Sequence, residues 1–107
     1  MNTLFICSRN QWRSPTAERL FAQGYGLHTR SAGTSHHAKH TISLKDIAWA
    51  EQIFVMENRH KQQIKEKFSK QLTHRKIFVL DIADDYQYMD DELIELLQLA
   101  MQPYLKV

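Results

Sequence analysis

Short, nearly continuous apolar runs alternate along this chain with longer segments in which apolar residues recur every three or four positions. The apolar runs are typical of strands buried on both faces of a parallel sheet. The longer segments have the spacing of helices with one buried face. The pattern predicts strands at 3–6, 27–32, 52–56 and 76–80, helices at 15–23, 44–49 and 58–68, and a last helix that begins near 90.

The alternation of strands and helices also predicts the fold. It implies right-handed crossovers and a parallel sheet with helices on both faces. We therefore predict an α/β fold with one domain over residues 1–107, a doubly wound sheet of four parallel strands flanked by helices. Ligands of such sheets bind beyond the carboxyl ends of the strands. The loops after the first, second and fourth strands should therefore converge on one pocket.

The composition of the chain indicates which binding partners and which cellular compartment to expect. The 14 basic and 12 acidic residues nearly balance, which argues against a nucleic-acid partner. No apolar run approaches the ~20 residues of a membrane span, and the segment before Cys7 is too short for a signal-peptide core. The single cysteine excludes an internal disulfide framework and fits a reducing compartment. We expect a cytoplasmic protein without a membrane partner, and the sequence makes no prediction of its oligomeric state.

The most informative chemistry follows the first strand. Cys7 and Arg13 are separated by five residues and are followed by Ser14 and Pro15. The loop amides and the helix N-terminus can point at one anion, and the Arg13 guanidinium can bind it with two parallel hydrogen bonds. A phosphate fits such a site. The same positive field favours the thiolate form of Cys7, which would make it a nucleophile at neutral pH.

The residues between Cys7 and the helix also predict the local backbone. Pro15 suits the first helical position, and Ser14 is the predicted N-cap, with a hydroxyl that could also face the sulfur. The loop contains no glycine, so Asn10 is the residue expected in a left-handed conformation. The absence of glycines and a lysine also excludes a Walker-type nucleotide loop.

These residues resemble the signature loop of the low-molecular-weight protein tyrosine phosphatases, which reads Cys-x-x-Asn-x-x-Arg-Ser and is followed by Pro-x-Ala-Glu. The matching residues are Cys7, Asn10, Arg13, Ser14, Pro15, Ala17 and Glu18. Ser-Ala-Gly-Thr at 31–34 and Ile-Phe-Val-Met at 53–56 resemble two further family blocks, in the same order. The resemblance spans most of the chain and is specific as a set.

The resemblance implies a phosphatase I-like fold and phosphomonoester hydrolysis. The substrate would be a phosphorylated protein, through phosphotyrosine, or a small aryl phosphate. Cys7 would form a phosphocysteine intermediate and Arg13 would bind the phosphate. The family acid lies in an Asp-Pro-Tyr stretch after the fourth strand, and residues 82–86 look like that stretch with Asp85 in place of the proline. The resemblance therefore implies Asp84 as general acid and base, with Asp81 and Asp85 as open alternatives.

The resemblance also implies which residues surround the substrate. The expected phosphate- and substrate-binding residues are Ser8, Arg9, Asn10, Gln11, Trp12, Ser14 and Tyr86. Asn10 and Ser31 would hold the loop through hydrogen bonds, and Ser14 would stabilise the departing thiolate. Ser8 and Gln11 are polar where relatives often place aliphatic groups against the substrate ring. The sequence therefore predicts phosphatase chemistry more directly than phosphotyrosine specificity.

Three neighbouring histidines, His36, His37 and His40, suggest a metal site at first sight. No cysteine or carboxylate lies at ligand spacing from them, so we expect an exposed loop, with no metal and no other cofactor. The family has a histidine that supports the anion loop, and His36 and His37 are its candidates here.

Two other functions fit an anion site of this kind. An arsenate reductase would need further cysteines to resolve its thiol–arsenate adduct, and this chain has one. A non-hydrolytic phosphate-binding or phosphocarrier module would keep the site without turnover. Asp84 argues against the second alternative, because a carrier gains nothing from an acid that promotes release.

Overall fold

Four parallel strands form the centre of the structure, a computed structural model that describes residues 1–105. The strands are β1 (Asn2–Cys7), β2 (His28–Gly33), β3 (Gln52–Val55) and β4 (Lys76–Val79). The helices are α1 (Arg13–Leu20), α2 (Leu44–Trp49), α3 (Asn58–Phe68) and α4 (Asp91–Met101), followed by a 3₁₀ turn at Gln102–Tyr104. The strand order is β2-β1-β3-β4. The predicted fold class is confirmed.

The central strand β1 is buried on both faces because helices cover each side of the sheet. Leu4, Phe5 and Ile6 have no exposed surface. Leu4 and Ile6 belong to a core cluster that includes residues of α2 and α3, whereas Phe5 belongs to a second cluster with residues of α1 and α4. The chain leaves β1 toward β2 on one side and later returns to β3 on the other. The carboxyl end of β1, at Cys7, therefore lies where the strand order reverses, the usual ligand position in this architecture.

The start of α1 differs from the prediction. The helix begins at Arg13, with Trp12 at its N-cap and no side-chain capping bond. Ser14 is therefore not the N-cap and Pro15 is not the first helical residue, because the Ser14 hydroxyl contacts the side chains of Cys7 and Asn10 instead.

The end of α1 also differs, because the helix ends at Leu20 rather than at residue 23. The other boundaries lie within one residue of the prediction. Helix α2 has its predicted bounds, and Ser43 and Asp46 form a capping box at its start. Helix α3 also has its predicted bounds. Strands β3 and β4 end one residue earlier than predicted, and β2 starts and ends one residue later. No helix within residues 1–105 is long and apolar enough to cross a membrane.

Candidate active site

The loop of residues 8–12, which we call the anion loop, joins β1 to α1. Asn10 has a φ of 52°, the left-handed conformation that the sequence predicted. The carbonyls of Cys7, Ser8 and Arg9 accept hydrogen bonds of 2.9, 2.9 and 3.0 Å from amides of the segment that follows β2. Within residues 1–105, the amides of residues 8–12 donate to no other protein group. The carbonyls of Ser8 and Arg9 therefore point into the fold, and the loop amides remain available for an anion.

Gly33 allows this close contact between the anion loop and the end of β2. A Cβ at position 33 would lie 2.5 Å from the Ser8 carbonyl oxygen and 2.6 Å from the Cβ of Ala38. Both distances are shorter than any real contact of a Cβ. The space is filled by neighbouring backbone, so glycine is required here for packing rather than for its backbone freedom.

A chain of hydrogen bonds leads from the sulfur of Cys7 to a carboxylate. Cys7 Sγ lies 3.0 Å from Ser14 Oγ, and Asn10 Nδ2 donates to Ser14 Oγ at 3.0 Å and to Ser31 Oγ at 2.9 Å. Ser31 Oγ in turn donates to Glu18 Oε1 at 2.5 Å. Because Ser14 accepts from Asn10, its own proton can be donated to the sulfur. The predicted supporting residues Asn10 and Ser31 are therefore brought together beside the thiol, which is 3% exposed.

The guanidinium of Arg13 is 2% exposed and is fixed on one side. Its Nη1 donates to Glu57 Oε1 at 2.6 Å and to the carbonyl of Ile82 at 2.8 Å. These bonds use both Nη1 protons and leave the Nε and Nη2 edge for an anion. Nε lies 3.6 Å from Asp84 Oδ1. Arg13 therefore lies between a structural carboxylate and the predicted general acid.

Glu57 is a site residue that the sequence did not reveal. Burial alone would raise its pKa, but hydrogen bonds from Arg59 and Arg13, with the charges of both, hold the pKa at about 2. The carboxylate therefore stays ionised and orients Arg13 over the accessible pH range. Its place directly after β3, at the same edge of the sheet as Cys7, is the signal that could have identified it.

The histidine that contacts the anion loop is His60, which has no exposed surface. Its Nδ1 accepts from the Glu57 amide at 3.0 Å, so the ring proton is on Nε2, which lies 2.9 Å from Ser8 Oγ and donates to it. Burial and the charges of Arg13 and Arg59 lower the pKa of His60 to about 4. The ring is therefore a neutral donor at pH 7.

The three histidines that the sequence singled out lie elsewhere. His36 and His37 are exposed, and their ring centroids are 4.0 Å apart. The expectation that one of them supports the anion loop is therefore wrong. His40 Nε2 lies 2.8 Å from Asp46 Oδ2, at the start of α2. No cluster of residues able to hold a metal ion occurs in the described part of the chain.

A small pocket lies above the sulfur. It is lined by Cys7, Arg9, Gln11, Trp12, Arg13 and Asp84. The structure thus brings the predicted nucleophile, phosphate-binding arginine and acid to one place. Asp81 lines a separate depression with Glu57 and Arg59, and Asp85 is not part of the pocket wall.

Four of the predicted phosphate- and substrate-binding residues are not in this wall: Ser8, Asn10, Ser14 and Tyr86. Asn10 and Ser14 are buried and hydrogen-bonded to each other beside the sulfur. The hydroxyl of Ser8 faces His60, and the ring of Tyr86 packs against the core cluster between the sheet and α4. The expectation that Tyr86 lines the pocket is therefore wrong, because the core holds its ring. Trp12 is the aromatic side chain of the wall, and Tyr88 lines an adjoining groove with Gln11 and Trp12.

The sequence and the fold are similar to those of known proteins. Residues 2–83 match the family described as low molecular weight phosphotyrosine protein phosphatase. No curated protein matches the sequence. Among solved structures, the YwlE arginine phosphatase from Geobacillus stearothermophilus is 27% identical, with 96% of this chain and 92% of that chain covered and a TM-score of 0.72.

Two further solved structures share the fold at lower identity. The tyrosine phosphatase Wzb from Escherichia coli K30, in complex with phosphate, is 22% identical, with 96% of this chain and 94% of that chain covered and a TM-score of 0.75. Wzb from Vibrio vulnificus, in complex with benzylphosphonate, is 18% identical, with 96% and 95% covered and a TM-score of 0.79.

Proposed function

Since this chain belongs to the low molecular weight phosphotyrosine protein phosphatase family, we propose that it hydrolyses phosphomonoesters through a phosphocysteine formed on Cys7. The observation that carries the proposal is the shared pocket of Cys7, Arg13 and Asp84. It combines a nucleophile, a cation for the phosphate and a carboxyl group, the three groups that this reaction needs.

In the first step, the Cys7 thiolate attacks phosphorus. An S–P bond forms and the bond from phosphorus to the leaving oxygen breaks. The carboxylic acid of Asp84 gives its proton to that oxygen, which departs as an alcohol or phenol. The loop amides and the Nε and Nη2 edge of Arg13 bind the phosphoryl oxygens as their charge redistributes.

In the second step, water attacks the phosphocysteine. The Asp84 carboxylate, deprotonated in the first step, takes a proton from the water as its oxygen bonds to phosphorus. The S–P bond breaks, the electron pair returns to sulfur and inorganic phosphate is released. The hydroxyl of Ser14, 3.0 Å from Sγ, donates to the thiolate as it leaves.

The proposed substrate is phosphotyrosine in a protein, or a small aryl phosphate. The ring of Trp12 in the pocket wall supports this choice, because it offers an aromatic face to the substrate ring. The family that the chain matches is described as a phosphotyrosine protein phosphatase family, which also supports this choice.

Phosphoarginine is the second candidate. Gln11 presents a polar side chain in the pocket wall, and an amide oxygen can accept a hydrogen bond from a guanidinium. The structure at 27% identity is an arginine phosphatase. In that reaction, Asp84 would protonate the leaving nitrogen rather than an oxygen.

The test compares kcat/KM for two peptides of the same sequence, one with phosphotyrosine and one with phosphoarginine. We expect multiple turnovers and a preference for phosphotyrosine. A preference for phosphoarginine that Gln11→Leu abolishes would instead establish the second candidate. A single turnover with both peptides would identify a phosphocarrier.

The Cys7→Ser variant tests the nucleophile in the same assay. We expect no hydrolysis, because an alcohol is a far weaker nucleophile than a thiolate at neutral pH. Binding of inorganic phosphate should be retained, since the amides and Arg13 remain. Full activity of the variant would rule out the covalent mechanism.

A further inference from the structure

The loop that carries Asp84 leaves β4 and is fixed at its first residues. Ile82 is 3% exposed. Its amide donates to the Met56 carbonyl at 2.8 Å, and its carbonyl accepts from Arg13 Nη1 at 2.8 Å. The near end of this loop is therefore held against β3 and against the arginine of the pocket.

The far end of the loop is held by a hydroxyl of α1. The amide of Met89 donates to Thr16 Oγ1 at 2.9 Å, and the same hydroxyl donates to the carbonyl of Trp12 at 2.6 Å. Thr16 has no exposed surface. One hydroxyl thus joins the last residue of the anion loop to the end of the acid-bearing loop.

The backbone of Met89, at this contact, has an unfavourable conformation. Met89 has a φ of 60°, a left-handed conformation that is disfavoured for a residue with a side chain. A turn forms around it, in which the Asp90 amide donates to the Gln87 carbonyl at 3.2 Å. The Thr16 hydroxyl gives the Met89 amide its partner and so favours this turn over alternatives.

Asp84 itself makes little contact with the protein. Its side chain is 48% exposed, and its ion pair with Arg13 spans 3.6 Å. The position of its carboxyl group over the pocket therefore depends on the loop that carries it. Arg13 holds one end of this loop, the ring of Tyr86 packs against the core in its middle, and Thr16 holds the other end.

We propose that Thr16 is a positioning residue for the general acid, which it holds over the anion loop through the Trp12 carbonyl and the Met89 amide. The inference rests on the proposed function, in which Asp84 protonates the leaving group. It assigns to α1 a second role besides its contribution to the anion site.

The test uses Thr16→Val, which preserves the shape of the side chain and removes both hydrogen bonds. Phenol is a poor leaving group that needs a proton, whereas dinitrophenol leaves readily without one. We expect kcat/KM to fall ~10- to 100-fold with phenyl phosphate and to change no more than ~2-fold with dinitrophenyl phosphate. Inhibition by inorganic phosphate should be unchanged, and Thr16→Ser should restore the activity.

Thr29→Val is the matched control. The Thr29 hydroxyl also donates to a carbonyl of α1, that of Glu18, at 2.9 Å, but within residues 1–105 it makes no hydrogen bond to the acid-bearing loop. Its removal should lower kcat/KM equally little for both substrates.

A double variant separates positioning from a general loss of structure. If Thr16 acts through Asp84, adding Thr16→Val to Asp84→Asn should cost nothing further with phenyl phosphate. Equal losses for both leaving groups, or a further multiplicative loss in the double variant, would overturn the inference and leave the proposed function intact. If Asp84→Asn alone showed no dependence on the leaving group, the proposed acid itself would be wrong.

A measurement on the amide of Met89 tests the same contact if Thr16→Val does not fold. In the unaltered protein this amide should exchange slowly with deuterium, and in Thr16→Ser it should remain protected. Rapid exchange in the unaltered protein would overturn the inference.

Discussion

At the residue scale, the main result is that only one of three neighbouring carboxylates lies in the pocket. Asp84 reaches the pocket, Asp81 lies beside Glu57 in another depression, and Asp85 is outside the wall. All three are similar in sequence context, so only their placement distinguishes them. The placement favours Asp84 as the proton donor.

Replacing Asp84 tests this assignment. Asp84→Asn keeps the size of the side chain and removes its proton, so kcat/KM for phenyl phosphate should fall by ~100- to 10,000-fold, as is typical for a lost general acid. Asp81→Asn and Asp85→Asn are matched controls in the same assay and should stay close to the unaltered protein. A nearly inactive Asp81→Asn or Asp85→Asn beside an active Asp84→Asn would move the acid to that residue.

The packing of the anion loop against the segment after β2 is the main result at the scale of elements. The sequence predicted α2 and α3 with their true bounds, because local signals such as the Ser43 capping box determine them. It misplaced the start of α1, because the Ser14 hydroxyl contacts Cys7, Asn10 and the carbonyl of Ala32 instead of capping the helix.

Gly33→Ala tests this packing. The added Cβ would meet the Ser8 carbonyl at 2.5 Å, so the loop and β2 must separate. We expect a loss of about 1–3 kcal/mol in the free energy of unfolding, as for other overpacked positions, and weaker inhibition by inorganic phosphate because the amides move. Urea unfolding and competitive inhibition measure the two effects. Unchanged phosphate inhibition would show that the loop does not depend on this contact.

At the scale of the whole molecule, parallel strands bring distant residues to one edge of the sheet. The motif after the first strand predicted Cys7 and Arg13 as site residues, and the family resemblance of residues 82–86 implied Asp84, with Asp81 and Asp85 as alternatives. Glu57 and His60 were missed because they follow a different strand, β3, and share no local pattern with the motif. Their side chains lie near the anion loop because β1 and β3 are neighbouring parallel strands, whose carboxyl ends lie at the same edge of the sheet.

Burial of a neutral histidine makes the stability of the whole fold depend on pH. In the unfolded chain, His60 binds a proton below about pH 6.5. In the folded protein, its pKa is about 4, so the ring stays neutral down to about that pH. The unfolded chain binds more protons in this window, so stability is full above pH 6.5 and falls as pH decreases toward 4, by at most about 3 kcal/mol from this residue. Urea unfolding at several pH values measures the slope.

The matched controls for this slope are His60→Gln and His28→Gln. The first should flatten the dependence between pH 6.5 and 4, and the second, at an exposed position, should leave it unchanged. If His60→Gln kept the full slope, another group would be responsible.

The most direct test of the account is to trap the covalent intermediate. Unaltered protein is mixed with excess dinitrophenyl phosphate, quenched within the first turnover and digested, and the peptides are examined by mass spectrometry. The account predicts phosphate on the peptide that contains Cys7, and none in a parallel experiment with Cys7→Ser. Rapid hydrolysis with no phosphate on Cys7 at any quench time, and with activity retained in Cys7→Ser, would contradict it.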